Sequence, residues 1–193
     1  VSPLHDPDGR IAPLILKYGS DLKDVYHNFV GISISELPSQ ETFNALDHVN
    51  LFYVIQPKEK MNIGDSYRGA IQIGIELQTS HLHLLDFDRA LHWVKRCKDE
   101  LEKTKQKIML VDGFISFVRT KQAFESHPYV QRSTEEVINA IASEVAHMNI
   151  DIMSGSHAME NDLAKLIMKK SKRVDFGIHA EFLKIALDHN FPI

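Results

Sequence analysis

The stretch that decides the fold is residues 62–88, which read NIGDSYRGAIQIGIELQTSHLHLLDFD. In its first half, apolar side chains recur at intervals of three and four residues, which predicts an amphipathic helix over residues 62–78. The run over residues 81–87 has the length and apolar character of a buried strand, and acidic residues stand at its end. A helix that leads into a buried strand is the unit from which α/β folds with parallel sheets are built.

The same alternation continues along the rest of the chain. Further strands are predicted at the opening residues and over 29–35, 50–56, 108–118 and 150–153. Further helices are predicted over 11–26, 39–47, 88–105, 137–148, 161–170 and 178–189. Strands joined by helices imply right-handed crossovers and parallel pairing. We therefore expect one α/β domain over residues 1–193, with three α/β/α layers around a mixed, mostly parallel sheet.

The composition is that of an ordinary globular domain. Of the 193 residues 44% are apolar and 25% are charged, and the formal net charge is −4. A disordered chain would be poorer in apolar residues, and a nucleic-acid-binding protein would normally carry a basic face. The longest apolar runs are far shorter than the ~20 residues of a membrane span, and no targeting segment is visible.

The single cysteine, Cys97, excludes an intramolecular disulfide framework and favours a reducing compartment, so we expect a cytoplasmic protein. Cys97 is also predicted to lie on the inward stripe of its helix, with Leu91, Val94 and Leu101. The chain starts with Val-Ser-Pro and stops at Phe-Pro-Ile without a polar tail, which suggests a piece of a longer protein. The oligomeric state is not set by the sequence.

The most informative pair of side chains is Asp86 and Asp88, which are one residue apart where an apolar strand ends. Ligands of open α/β sheets bind at the carboxyl ends of the strands. Two carboxylates with open water positions suit Mg²⁺ or Mn²⁺, and such an ion can bridge a diphosphate. The alternative is a helix N-cap at Asp86 or Asp88, which the helix dipole would favour.

Residues 62–88 together resemble the core of family-2-type glycosyltransferases with the GT-A fold. The shared pattern is Asn-x-Gly, a helix that carries Arg and Gly, an apolar strand and then Asp-x-Asp. The run Ser154-Gly155-Ser156-His157 and the helix after Gly177 are similar to later segments of that family, and residues 2–9 stand where it has its first strand and nucleotide-facing loop. The resemblance implies a Rossmann-like GT-A architecture, with a nucleotide-binding part over about residues 1–120 and an acceptor-side part over about 121–193.

The resemblance also implies roles for individual residues. Asp86 and Asp88 would hold the metal and the diphosphate of a nucleotide-diphosphate sugar, with His157, or alternatively His179, as a further metal ligand. The rest of the donor site would be formed by Asp6, Asn62, Gly64 and Arg68. Glu181 matches the acidic position that accepts a proton from the acceptor hydroxyl, a role that requires partial burial to raise its pKa, and Asp151 is the alternative base.

Arg119 and Lys121 follow a predicted strand and can clamp phosphate groups. The chain departs from the family after its second strand, where only Glu36 is available as the acidic residue that contacts base and ribose. The sequence thus predicts metal-dependent transfer of a sugar from a nucleotide-diphosphate sugar to a hydroxyl group of a small molecule or glycan. Two alternatives stay open, an inactive nucleotide- or glycan-binding module and a sugar nucleotidyltransferase.

Overall fold

The computed structural model describes residues 1–27, 29–34, 38–57 and 62–193. These residues form an α/β structure in which strands and helices alternate. The strands are β1 (Ser2–Leu4), β2 (Gly31–Ile34), β3 (Phe52–Ile55), β4 (His81–Leu85), β5 (Phe114–Ser116) and β6 (Ser156–Glu160). The helices are α1 (Ala12–Val25), α2 (Gln40–His48), α3 (Ile63–Glu76), α4 (Phe87–Ile108), α5 (Lys121–Glu125), α6 (Tyr129–Ala146), α7 (Asn161–Lys170) and α8 (Ile178–Asp188).

The described strands form one parallel and one antiparallel sheet, each of three strands. In the first, the order is β1-β2-β3, and Ser2 lies opposite Ile32. In the second, β6 lies between β4 and β5 and is antiparallel to both, with His83 opposite Ala158. The α/β class is therefore confirmed, although parallel pairing is less dominant than the sequence predicts.

Backbone hydrogen bonds of Val1 link the two sheets. Its nitrogen donates to the His83 carbonyl over 2.7 Å, and its carbonyl accepts from the Leu85 N–H over 3.1 Å. In parallel pairing, the N–H and C=O groups of one residue bond two residues of the neighbouring strand that are two positions apart. The start of β1 therefore lies beside β4 and runs in the same direction.

Helices pack on both faces of β2, because its isoleucine side chains face one core cluster and Gly31 faces α3 on the other side. Ile32 and Ile34 are fully buried in the cluster that includes α1, α2 and α4. On the other face, Gly31 leaves room for Ile73 of α3, since a Cβ at Gly31 would come within 2.4 Å of that side chain. The second cluster joins α3, β4, α7 and α8.

Of the predicted strands, one is much shorter in the structure and another is absent. Ile108 is the buried last residue of α4, and the strand predicted over 108–118 is reduced to β5, after a turn at Gly113 whose φ is +91°. The strand predicted over 150–153 is absent, because side chains of α6 occupy that backbone: Ser143 Oγ bonds both backbone groups of Ile150, and Asn139 accepts from Met153 N–H. The ladder forms instead after Gly155, in β6.

The predicted inward stripe of α4 is correct except at Cys97. Leu91, Val94 and Leu101 are buried, whereas Cys97 is exposed. The backbone at Cys97 is not helical, with φ −149° and ψ 57°, so α4 is kinked there. No helix in the described part of the chain combines the length and the apolar character needed to cross a membrane.

Candidate functional site

The candidate site lies where the direction of chain connection reverses. From β1 the chain moves outward through β2 and β3, and α3 then brings it back to β4 on the other side of β1. In open α/β sheets, ligands bind in the crevice that such a reversal opens at the carboxyl ends of the strands. The segments that border it are residues 5–11 after β1 and residues 86–89 after β4.

Asp6 shapes the first of these segments. Its carboxylate accepts hydrogen bonds from Arg10 N–H at 2.9 Å, Ile11 N–H at 3.2 Å and the Thr42 hydroxyl at 2.7 Å, and the residue is buried. Asp6 thereby holds the turn that starts α1 and ties this turn to α2. The predicted donor-site residue is in this structure a positioning residue for the loop.

Asp86 is held in place on every side. Oδ1 accepts a hydrogen bond from the Tyr67 hydroxyl, Oδ2 lies 3.3 Å from Arg89 Nε, and the backbone N–H donates to the Gly155 carbonyl at 3.0 Å. Burial raises the pKa of Asp86 to about 6, against the lowering effect of Arg89 and Tyr67. This carboxyl therefore changes charge near neutral pH, which is uncommon for an aspartate.

Gly155 completes this arrangement. Its φ is +64°, and a Cβ at this position would lie 2.2 Å from Asp86 Oδ2 and 2.8 Å from Arg89 Nη1. Arg89 Nη1 also donates to the Ser154 carbonyl. Only a glycine fits between the turn and the carboxylate, so the Ser-Gly segment noted in the sequence brings β6 against the end of β4.

Asp88 is the exposed member of the acidic pair. It lies in the first turn of α4, and its charge is close enough to Asp86 to contribute to the raised pKa of that residue. Asp86 stands at the N-cap of α4 but makes no side-chain cap hydrogen bond, so the N-cap alternative does not explain its carboxylate. Within the described ranges, no group of three or more His, Cys, Asp or Glu side chains could hold a metal ion.

His157 and His179 are core residues. Both are buried, His157 Nε2 lies 3.1 Å from His179 Nδ1, and the His157 ring stacks on Phe114. Burial lowers the pKa of His179 to about 4 and that of His157 well below its usual value, so both imidazoles are neutral. The structure does not bring His157 together with Asp86 and Asp88 as a ligand group.

Two predicted donor-site residues, Gly64 and Arg68, attach α3 to the segment after α7, and a third, Asn62, caps α3. Asn62 caps α3 by accepting from Asp65 N–H at 2.8 Å. Gly64 donates to the Val174 carbonyl at 3.2 Å, and a Cβ there would lie 1.9 Å from the Arg173 carbonyl oxygen. Arg68 donates to Ser171 Oγ and to the Arg173 carbonyl, over 3.1 and 2.7 Å. In this structure these residues make capping and packing contacts, and their predicted role toward a ligand stays a prediction.

Glu181 of α8 bonds the same segment after α7. It accepts hydrogen bonds from Ser171 Oγ at 2.5 Å, Lys172 N–H at 3.0 Å and Arg173 N–H at 3.1 Å. Burial raises its pKa, but these hydrogen bonds outweigh burial, and the pKa of Glu181 is lowered overall. The raised pKa that a catalytic base would require is therefore not found, because the carboxylate accepts hydrogen bonds from backbone N–H groups that follow α7.

Arg119 and Asp151 form the centre of a buried ion cluster. Asp151 accepts from Arg119 Nε at 2.7 Å and Nη2 at 2.8 Å, and from Asn139 at 2.7 Å. Arg119 Nη2 also donates to Glu135 at 2.7 Å. Despite burial, these bonds lower the pKa of Asp151. Arg119 Nη1 is buried and has no hydrogen-bond partner within the described residues.

A cavity of about 540 Å³ adjoins this cluster. Arg119, Asn139 and Asp151 line it together with Phe124, on whose ring the Arg119 guanidinium stacks at 5.0 Å. The charge of Arg119 also reaches Asp86, whose pKa it lowers. The residues that line the cavity fall within 118–151, almost entirely in the part of the chain that was predicted to lie on the acceptor side.

Sequence reasoning missed Tyr67 and Arg89, the two side chains that hold Asp86. A signal for Tyr67 was present, because its helical position places it on the buried stripe with Ala70, Ile71 and Gly74, and a buried tyrosine hydroxyl needs a partner. The predicted base and ribose contact, Glu36, lies outside the described residues. Comparison of the chain with family models, with curated proteins and with solved structures found no match.

Proposed function

We propose that this protein binds a nucleotide-diphosphate sugar at the carboxyl ends of β1 and β4 and transfers the sugar to a hydroxyl acceptor, in a reaction that requires Mg²⁺ or Mn²⁺. The observation that carries the proposal is the pair Asp86 and Asp88 directly after β4, at the reversal of chain connection. Acidic residues at this position of an open α/β sheet are typical of a nucleotide site that uses a divalent cation.

The proposal includes a single GT-A sheet in the order β3-β2-β1-β4-β6-β5. The hydrogen bonds of Val1 to β4 support it, as does the packing of helices on both faces of β2. In this arrangement β6 is the one strand that runs against the others. The helices α1, α2 and α4 form one outer layer, and α3, α7 and α8 form the other.

The acidic pair is compatible with a divalent cation when a nucleotide supplies further ligands. Mg²⁺ is commonly held by one or two carboxylates together with substrate phosphates and water. Asp88 offers an exposed carboxylate, and Asp86 stands one residue away with its orientation set by Tyr67 and Arg89. When bound, the cation would offset the charge that develops on the leaving diphosphate.

The acceptor is expected to use the cavity beside Arg119. Phe124 provides an apolar ring, and Asn139 and Asp151 provide polar groups at its wall. The hydrogen bonds to Asp151 and Glu181 occupy both candidate bases. We therefore assign the rate enhancement to electrostatic stabilisation of the leaving diphosphate and not to either carboxylate.

The decisive experiment measures nucleotide-sugar hydrolysis and transfer with Mn²⁺, using a panel of nucleotide-diphosphate sugars. Asp88→Asn removes the exposed carboxylate and is expected to lower activity and Mn²⁺-dependent binding by about 10- to 100-fold, the usual effect of weakening a metal site. Asp99→Asn, an exposed aspartate on the same helix, is the matched control. Equal activity of Asp88→Asn and the wild type would rule out the proposed role, and failure to bind any nucleoside diphosphate would rule out the site.

A binding module without turnover is the second candidate. The observation that favours it is that both predicted bases, Asp151 and Glu181, are saturated by hydrogen bonds. The same assay separates the two functions. Tight, Asp88-dependent binding of a nucleotide-diphosphate sugar with neither hydrolysis nor transfer would select the module.

A further inference from the structure

The buried and half-buried side-chain acceptors in the wall of the cavity beside Arg119 are already occupied. Asp151 accepts hydrogen bonds from the backbone N–H, Nε and Nη2 of Arg119 and from the Asn139 amide. The Asn139 side-chain oxygen accepts from Met153 N–H, and Ser143 Oγ both donates to and accepts from the backbone. A ligand in this cavity therefore finds few acceptors among these side chains.

Two cationic donors in the same wall are not used in this way. The Arg119 side chain is 10% exposed, and its Nη1 is buried without a hydrogen-bond partner among the residues that the structure describes. Leaving a buried charged donor unpaired costs free energy, which an acceptor atom of a ligand would recover. The Lys121 side chain is 88% exposed, and its ion pair with Glu125, at 3.7 Å, is of the exposed kind that contributes little.

We propose that this cavity binds a hydroxyl acceptor that carries a carboxylate or phosphate group, with this anionic group bound by Arg119 and Lys121. The inference rests on the proposed function, because it names the class of acceptor for the same site. An oxyanion supplies acceptors alone, and hydrogen bonds from a guanidinium to a charged oxygen are stronger than those to a neutral one. A neutral hydroxyl would bring a donor of its own to a wall whose side-chain acceptors are occupied.

The carboxylates near Arg119 do not prevent this binding. Asp151 accepts hydrogen bonds from Arg119 and from the Asn139 amide, and Glu135 accepts from Arg119 and from the Gln131 amide. These bonds offset much of the negative charge of both carboxylates. Lys121 then adds a cation on the exposed side of the cavity.

Access to Arg119 Nη1 requires a shift of α5, because Phe124 of this helix packs on the guanidinium at 5.0 Å. Helix α5 has five residues, and none of them is buried. An element that contributes no buried side chain to the core opens at a low cost in free energy. We therefore expect binding of the anionic group to displace α5.

The test measures binding in the absence of any nucleotide, by NMR titration at constant ionic strength. Glucuronate and glucose 6-phosphate are compared with glucose, and glycerate and glycerol 3-phosphate are compared with glycerol. At least one anionic compound is expected to bind at least tenfold more tightly than its neutral counterpart and to shift the backbone amide resonances of α5. The tighter of the carboxylate and the phosphate identifies the anionic group. Equal affinity of anionic and neutral compounds in both sets would overturn the proposal.

Two variants test the two cations. Lys121→Gln is expected to weaken anion binding about two- to fivefold. Lys184→Gln is the matched control and is expected to leave binding unchanged, since Lys184 is also exposed and also pairs with an acidic residue four positions later on its helix. Arg119→Lys keeps a positive charge but removes Nη1, and it is expected to lower anion affinity at least tenfold. Unfolding curves show whether this last variant is folded, and the Lys121 comparison does not depend on it. Equal effects of the two glutamine variants would count against the proposal.

Transfer assays separate this inference from the proposed function. Preferential anion binding without transfer from any nucleotide-diphosphate sugar would retain the anion site and rule out the proposed reaction. Transfer to neutral acceptors with a kcat/KM equal to that for anionic acceptors would retain the reaction and overturn the inference.

Discussion

At the scale of single residues, the site depends on how tightly Asp86 is held. Tyr67 and Arg89 bond its two carboxylate oxygens, and Gly155 lies against one of them. Asp86 is thus pre-oriented before any ligand arrives, and little conformational freedom is left to lose on binding. Preorganised polar groups of this kind are the ones that stabilise charge most effectively.

Gly155→Ala tests this close contact. The new Cβ would stand 2.2 Å from Asp86 Oδ2, on a backbone whose φ of +64° disfavours a side chain. We expect a loss of about 1–3 kcal/mol in the free energy of unfolding, measured by chemical denaturation, and weaker Mn²⁺-dependent nucleotide binding. Gly177→Ala is the control, since its φ is −61° and its Cβ would approach only the end of the exposed Asp175 side chain. Equal stability of the two variants would show that Gly155 is not required there.

At the scale of elements, the segment between α7 and α8 acts as a clamp on α3. Arg68 reaches it from α3, and Glu181 reaches it from α8, with Ser171 between them. The sequence spacing predicts α3, α7 and α8 nearly to the residue, because each has a clear apolar period. It does not predict that Arg68 and Glu181 serve the contact between these helices, because residues more than a hundred positions apart meet only in the folded chain.

Arg68→Gln separates the two roles of this arginine. Its hydrogen bonds to Ser171, to the Arg173 carbonyl and to Asp65 would be lost, and the side chain is only 13% exposed. We expect the free energy of unfolding to fall by about 1.5–3 kcal/mol while nucleoside-diphosphate affinity stays within about twofold. Arg96→Gln, on an exposed turn of α4, serves as the reference. Unchanged stability together with lost affinity would instead establish Arg68 as a donor-site residue.

At the scale of the whole molecule, buried histidines in the centre of the structure set its response to acid. His83, His157 and His179 are buried, and burial lowers the pKa of all three, to about 3 for His83 and about 4 for His179. In the unfolded chain these imidazoles take up protons as the pH falls below 6.5, which is their ordinary pKa. Asp86 acts in the opposite sense, because its pKa is raised from 3.8 to about 6 and the folded state takes up its proton first.

The free energy of unfolding is therefore expected to fall as the pH drops from about 6.5 toward 4. Between these values the unfolded state binds about three more protons at the histidines and about one fewer at Asp86, which corresponds to a slope of roughly 2–3 kcal/mol per pH unit near pH 5. Urea denaturation at a series of pH values measures this slope. His179→Gln should reduce this slope by the contribution of about one proton. His189→Gln, at an exposed position, should leave the slope unchanged. A slope near zero would show that the three histidines do not titrate as described.

The sequence by itself determined what depends on neighbours along the chain. Apolar periods placed most helices and strands, and the end of β4 was found together with its two aspartates. Tertiary structure alone decided which groups those side chains meet. Ser143 and Asn139 hold 150–153 out of the sheet, hydrogen bonds occupy Glu181 and Asp151, and a kink turns Cys97 outward. Local order follows from short-range periodicity and sterics, whereas a polar group's partner depends on elements that only packing brings into reach.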